Sequence, residues 1–285
     1  MRWLPLLVLA FATTASASDQ LSNPAFLGIG MSDIPPMPGM PAQPSTCAVT
    51  NVTRGSGAKA AGVAPHDIIR SIGGKVVTDC NAVLAAVQSF QPGDTVEVSV
   101  QRGNQTLKLQ ATLLSRDEIL RRRLVGSPVA TTELFGVDED ITFDLSANRG
   151  KTTVVGWFDP RCSGCKSIFT KLGDWAKKQA DKPGAPPMPL AVTRDTTGSP
   201  KEVARSSKYK SQASTLGVPL ALADPMVYEE FTLPDVERVH FTIVDCRGVV
   251  QYVAPIAADG VDTAAALDEL FAAAEQASRL AIKQR

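Results

Sequence analysis

The feature that most constrains this chain is a pair of cysteines two residues apart, Cys162-Ser163-Gly164-Cys165, set just beyond an apolar, valine-rich run from Lys151 to Phe158. Such a run suits a central strand buried on both faces. After the cysteines, Ile168, Phe169, Leu172 and Trp175 recur at helical spacing. A dithiol at a strand-to-helix junction has sulfurs close enough to bridge, and the free N–H groups of the helix start favour a thiolate. Arg161 before the pair and Lys166 after it add positive charge that works the same way. Cys162 is therefore the expected nucleophile, and Cys165, one turn into the helix and less exposed, the resolving thiol. A permanently closed staple is the competing reading. A zinc site is short of ligands, because only Cys162, Cys165 and His240 can be nominated where four are needed. No metal and no cofactor is expected.

The compartment gives the cysteines their meaning. Met1-Arg2, the apolar run Trp3 to Phe11 and then Ala15-Ser16-Ala17 have the charge, length and small-residue ending of an export signal over residues 1–17, with cleavage after Ala17. That run is too short to span a bilayer, so no membrane span is expected in the mature chain, which is read as periplasmic or secreted. In such a compartment thiols tend to pair. The chain has five, with Cys47 and Cys80 in the first half and Cys246 left over. Twenty-nine basic residues balance twenty-nine acidic ones, and the one dense basic run, Arg121 to Arg123, reads as a solvated helix end, so no nucleic-acid partner is expected.

Between residues 24 and 114 the pattern is of short strands and two short helices. Ala48 to Val52 and Asp67 to Ile72 read as strands, Gly55 to Val63 as a turn and helix, residues 80–90 as a helix, and Thr95 to Val100 with Thr106 to Leu113 as a hairpin. Ile34 to Ser45, rich in Pro and Met, reads as loop. The wording Gly-Ser-Gly-Ala-Lys-Ala-Ala-Gly-Val-Ala-Pro-His-Asp-Ile-Ile-Arg-Ser-Ile-Gly-Gly-Lys resembles the PDZ domains of HtrA-type bacterial proteins, an α+β fold built as a small β-barrel with two helices. His66 stands where that family usually has Gly. The resemblance implies that Phe26, Leu27, Gly28 and Ile29 form a loop that receives a peptide's terminal carboxylate, with Val83, Leu84 and Val87 on the helix opposite, lining the pocket or packing inward. Cys47 and Cys80 start a strand and the groove helix, where a structural bridge could close a loop of about 30 residues. No nucleophile-elbow serine accompanies His66 or His240, so the HtrA-like resemblance does not extend to proteolysis.

Residues 115–123 read as a helical linker. From 124 to 285, the order of strand, Cys-x-x-Cys, helix, a late hairpin about Cys246-Arg247-Gly248 and a closing amphipathic helix resembles the thioredoxin superfamily, closest to the periplasmic thiol-disulfide oxidoreductases. The implied fold is α/β, a central mixed sheet flanked by helices. Three positions depart from that family. Its cis-proline before the late strand corresponds to Val239, its aromatic before the first cysteine to Arg161, and its buried proton-accepting acid to Gly156, leaving Asp159 as the carboxylate near in sequence. The two resemblances together imply an exported thiol-disulfide oxidoreductase whose PDZ module recruits peptides or proteins with exposed C-termini and which exchanges electrons with an unidentified redox partner. The alternative is a non-catalytic envelope adaptor with a merely structural Cys162–Cys165 bridge.

Overall fold

The computed structural model describes residues 24–34, 46–130, 132–137, 141–146, 150–182 and 186–283. The expected export signal lies outside them, as does the Pro- and Met-rich stretch from residue 35 to 45. The chain divides into two compact units, one ending at Arg116 and the other starting at Asp117.

The first unit is an antiparallel sheet in the order β1 (Ile29–Ile34), β2 (Thr46–Val52), β3 (Ile68–Ile72), β5 (Thr95–Arg102) and β6 (Gln105–Thr112), with β4 (Lys75–Val76) paired to β3. An isolated bridge between Phe26 and Leu114 joins the segment before β1 to the segment after β6 and draws the sheet toward closure. Helix α1 (Gly57–Ala61) starts where the Ser56 hydroxyl accepts the Lys59 N–H, and α2 (Cys80–Gln88) where Asp79 accepts that of Ala82, as N-caps require. Alternation along the strands puts Val49, Ile69, Ile72, Val96, Val98 and Val100 inside. Asp67, fully buried, is satisfied by Arg102 Nε and Nη2 at 2.7 and 2.8 Å and by the Ala64 N–H at 2.9 Å, which locks the turn before β3. The adjoining His66 takes a left-handed φ of 71°, in the place where the resembled family has glycine.

In the second unit seven strands run β13 (Val250–Ala257), β12 (Arg238–Val244), β9 (Thr153–Trp157), β10 (Met188–Arg194), β11 (Leu220–Ala223), β7 (Glu133–Gly136) and β8 (Thr142–Asp144). β9, β10 and β11 are parallel, the rest antiparallel, so the sheet is mixed. Every residue of β9 is buried, as a central strand covered on both faces must be. One face packs on α4 (Cys165–Ala180), α6 (Ser207–Leu216) and α8 (Thr263–Lys283) through residues such as Val154, Phe169, Phe241 and Leu270; α5 (Pro200–Val203) is a single turn between β10 and α6. The other face carries Val155, Trp157 and Val192 against α3 (Arg116–Leu124) and α7 (Pro225–Phe231).

Helix α3 occupies the stretch expected as a linker, but it is no free connector. Ile119, Leu120 and Leu124 are buried, and Asp117 pairs with Arg238 at 2.9 Å. The apolar side chains sit among six charged neighbours, so composition hid a core-facing stripe. The second unit thus begins at Asp117, ahead of residue 124.

Candidate functional site

β9 delivers the chain to the cysteines. Its end is fixed by the Phe158 N–H on the Val192 carbonyl at 3.0 Å, and the following turn by the Cys162 N–H on the Asp159 carbonyl at 3.0 Å. Helix α4 begins at Cys165, so the pair straddles its N-terminus. Cys162 and Cys165 are joined by a disulfide, their Cα atoms 5.5 Å apart. Cys165 is 1% exposed and packs with Ile168, Phe169 and Val239, whereas Cys162 is half-buried. One sulfur is within reach of solvent and the other is shielded, the asymmetry that an attacking and a resolving thiol need.

Arg161 does not stand free beside the pair. Its Nε and Nη2 donate to the two carboxylate oxygens of Asp159 at 2.8 and 2.9 Å, and its backbone N–H adds a third bond at 3.0 Å. These bonds hold the buried Asp159 carboxyl below the usual carboxylate range, with the nearby Arg194 adding to the effect. Arg194 also lies over the Tyr228 ring, 4.9 Å from its centroid, and pairs with Glu229 at 2.8 Å. Lys166 is exposed on the first turn of α4.

Val239 is fully buried in β12, paired with Ile256, and there is no cis peptide bond among the described residues. Gly156 faces two aromatic rings: a Cβ there would stand 2.6 Å from Phe169 and 2.9 Å from Phe241. The place that holds an acid in the resembled family is filled here by ring carbon. His240, on β12 opposite Trp157, accepts the Leu233 N–H through Nε2 at 3.3 Å, and burial drives its pKa down to about 4. Among the described residues no group of three or more His, Cys, Asp or Glu side chains could hold a metal ion. Cys246 is a free thiol, half-buried, in the turn between β12 and β13.

A carboxylate that sequence reasoning missed lies against the cysteine motif. Asp259, in the loop after β13, is close enough to Gly164 that a Cβ there would stand 3.0 and 3.3 Å from its two oxygens and 2.6 Å from the Cβ of Ala258. Ninety-five residues separate the two in sequence, and the pairings of β9 with β12 and of β12 with β13 bring the loop back. Glycine at 164 was the one available signal, since it is the residue that permits so close an approach. A cleft of about 540 Å³, lined by Val137, Ile141, Phe143, Ala213, Val218 and Leu220 among others, includes neither cysteine.

In the first unit, Phe26, Leu27, Gly28, Ile29 and Met31 face Val83, Leu84 and Val87 of α2 across a narrow apolar groove beside β1. β1 pairs only with β2 among the described strands, which leaves an edge for strand addition. Gly28 has a φ of 79°, which only glycine adopts without strain. Val83 and Val87 are buried while Leu84 is 44% exposed, so the helix lends its core face and one exposed leucine to the groove. Cys47 and Cys80 form a disulfide, Cα atoms 4.8 Å apart, that ties the start of α2 to β2. The Cys80 N–H donates to Asp33 Oδ1 at 2.8 Å, a second tie from the same helix end to β1.

With the groove and the sheet in view, comparison with known proteins is decisive for one part. Residues 25–113 match the PDZ domain family. The chain is similar over this PDZ domain to the HtrA-type protease AlgW in complex with a decapeptide, at 24% identity over 33% of this chain and 30% of that one, with a TM-score of 0.30. It therefore spans less than a third of the protease. It is also similar to the PDZ domain of HtrA3 bound to a phage-derived ligand, at 23% identity over 33% of this chain and 88% of that one, TM-score 0.27. A putative protein disulfide isomerase from Bacteroides thetaiotaomicron is 19% identical over 54% of this chain and 90% of its own, TM-score 0.41. No curated protein matches. The second unit is thioredoxin-like by its strand order and by the placing of Cys162 and Cys165 between β9 and α4, so the chain joins a PDZ domain to a thioredoxin-like domain.

Proposed function

We propose that this chain is an exported thiol-disulfide oxidoreductase whose PDZ groove captures peptide or protein substrates by an exposed C-terminus. The observation that carries the reading is the Cys162–Cys165 bridge at the start of α4, with Cys162 half-exposed and Cys165 buried. The Cys162 thiolate attacks a substrate disulfide, releasing one substrate thiolate and forming a mixed disulfide. Cys165 then attacks Cys162, releasing the second thiolate and closing the internal bridge, so that two electrons pass to substrate. The reverse sequence oxidises a dithiol. Phe26 to Ile29 receive the terminal carboxylate, and Leu84 with Val83 and Val87 the last side chain. Tethering would raise the local substrate concentration at Cys162. The first 17 residues support export to the periplasm.

A Cys165→Ala variant tests the chemistry: it should accumulate mixed disulfides on Cys162 that resolve on adding reductant. An adaptor with a structural bridge would trap nothing and lose only stability. Recruitment is tested by deleting residues 24–114, which should slow turnover of protein disulfides but leave that of a small disulfide unchanged. Equal rates on protein disulfides would remove the recruiting role.

A further inference from the structure

We propose that Asp259 tunes the Cys162/Cys165 couple, its carboxylate raising the pKa of the Cys162 thiol and so making the pair a stronger reductant. The inference rests on the oxidoreductase reading above and adds to it a positioning residue from a different element. Its basis is the approach at Gly164, between the two cysteines, where a Cβ would stand 3.0 and 3.3 Å from the two Asp259 oxygens. Asp259 is itself exposed, on a loop whose neighbouring residues are tied down. Ala258 is buried and donates its N–H to the Glu237 carbonyl at 3.1 Å, while Thr263 Oγ1 donates to the carbonyls of Ala257 and Gly260 at 2.9 and 2.7 Å.

The other charges on the elements packed here leave Asp259 as the distinctive one. Arg161 on the preceding turn is bound by Asp159, and Arg238 at the start of β12 is bound by Asp117 and Asp235. Lys166 on α4, Glu237 ahead of β12 and Asp262 in the same loop are further charged residues on these elements. A helix N-terminus and Lys166 favour the thiolate, whereas a carboxylate beside it disfavours it. Asp159, the carboxylate nearest in sequence, is neutralised by Arg161, so the opposing charge comes from across the sheet.

In exchange with glutathione, the Cys162–Cys165 bond and two glutathione thiols become a dithiol and one glutathione disulfide. One S–S bond breaks and one forms, and two electrons move to the protein. Whichever protein thiol ionises returns its proton to solvent. Stabilising the thiolate stabilises the reduced pair and makes the couple more oxidising.

The experiment uses the full chain as wild type, Asp259→Asn, Asp259→Glu and Asp262→Asn. After chemical reduction the thiolate is titrated by its ultraviolet absorbance, and the exchange equilibrium with glutathione is measured above the thiol midpoint. Asp259→Asn should lower the midpoint by roughly half to one pH unit. It should also shift the equilibrium constant about three- to tenfold toward an oxidising couple, about 15–30 mV for two electrons. Asp259→Glu and Asp262→Asn should stay near wild type. An unchanged or raised midpoint in Asp259→Asn overturns the proposal. If the wild-type pair fails to exchange with glutathione, the oxidoreductase reading falls, while the titration of the reduced thiols still decides the role of Asp259.

Discussion

The Arg161 guanidinium is bound at two points by the Asp159 carboxylate, two residues before it, so the cation next to Cys162 is already matched by an anion. Arg161→Ala should therefore shift the Cys162 thiol midpoint by less than about half a pH unit. The larger effect falls on Asp159, whose carboxyl loses the bonds that hold its pKa down. A depressed carboxyl pKa contributes stability above the unfolded value that disappears as pH falls through the folded one. The variant should begin to acid-unfold at a higher pH than wild type, measured by circular dichroism in a pH titration.

Restoring an acid at Gly156 should fail. A Cβ there overlaps Phe169 and Phe241, so Gly156→Ala should cost about 1–3 kcal/mol by overpacking. Gly156→Asp should cost more, because it also buries a charge. Urea midpoints would reveal this, and a neutral Gly156→Asp would show that the two rings can move aside.

His240 gives the second domain a pH dependence of its own. Burial holds its pKa near 4, below the unfolded value of about 6.5, so the neutral ring contributes in full above that value. The contribution declines as pH falls, reaching a loss of about 3 kcal/mol near pH 4. His240→Gln should flatten stability between those limits. Equal slopes in wild type and variant would exclude the histidine as the source.

The Cys47–Cys80 bridge spans 33 residues, a loop whose closure is worth about 3–4 kcal/mol in the chain-entropy account. The double serine variant should lower the PDZ domain's unfolding free energy by about that much. Chemical denaturation followed by a probe in residues 24–114 is the measurement. Reducing agent added to wild type should reproduce the loss.

Within the groove the two kinds of lining residue separate. Leu84→Glu, at an exposed position, should weaken binding of a peptide with a free C-terminus by at least about tenfold, with stability within about 0.5 kcal/mol of wild type. Val83→Ala, at a buried one, should cost about 1–3 kcal/mol of stability. Calorimetry on both variants distinguishes the roles.

Much of this was legible in the sequence because the signals are local. The Lys151 to Phe158 run, the helical spacing after Cys165 and the hairpin about Arg247 each lie within a short continuous stretch, and the structure has all three. The PDZ domain was readable from one continuous stretch of wording. What escaped was tertiary. Asp259 meets Gly164 through the β9–β12 and β12–β13 pairings, and the local bond from Arg161 to Asp159 went unseen because the sequence does not show that this carboxylate is buried. Helix α3 was misjudged for a different reason: six charged residues outvoted three buried apolar ones in a nine-residue segment.

That helix decides where the polypeptide can be severed. A fragment starting at residue 124 would discard Leu120 and the Asp117–Arg238 ion pair, stripping α3 from its share of the core on one side of the sheet. Anyone wishing to study the second domain alone should make the cut at Ser115, so that the fragment keeps its own lid.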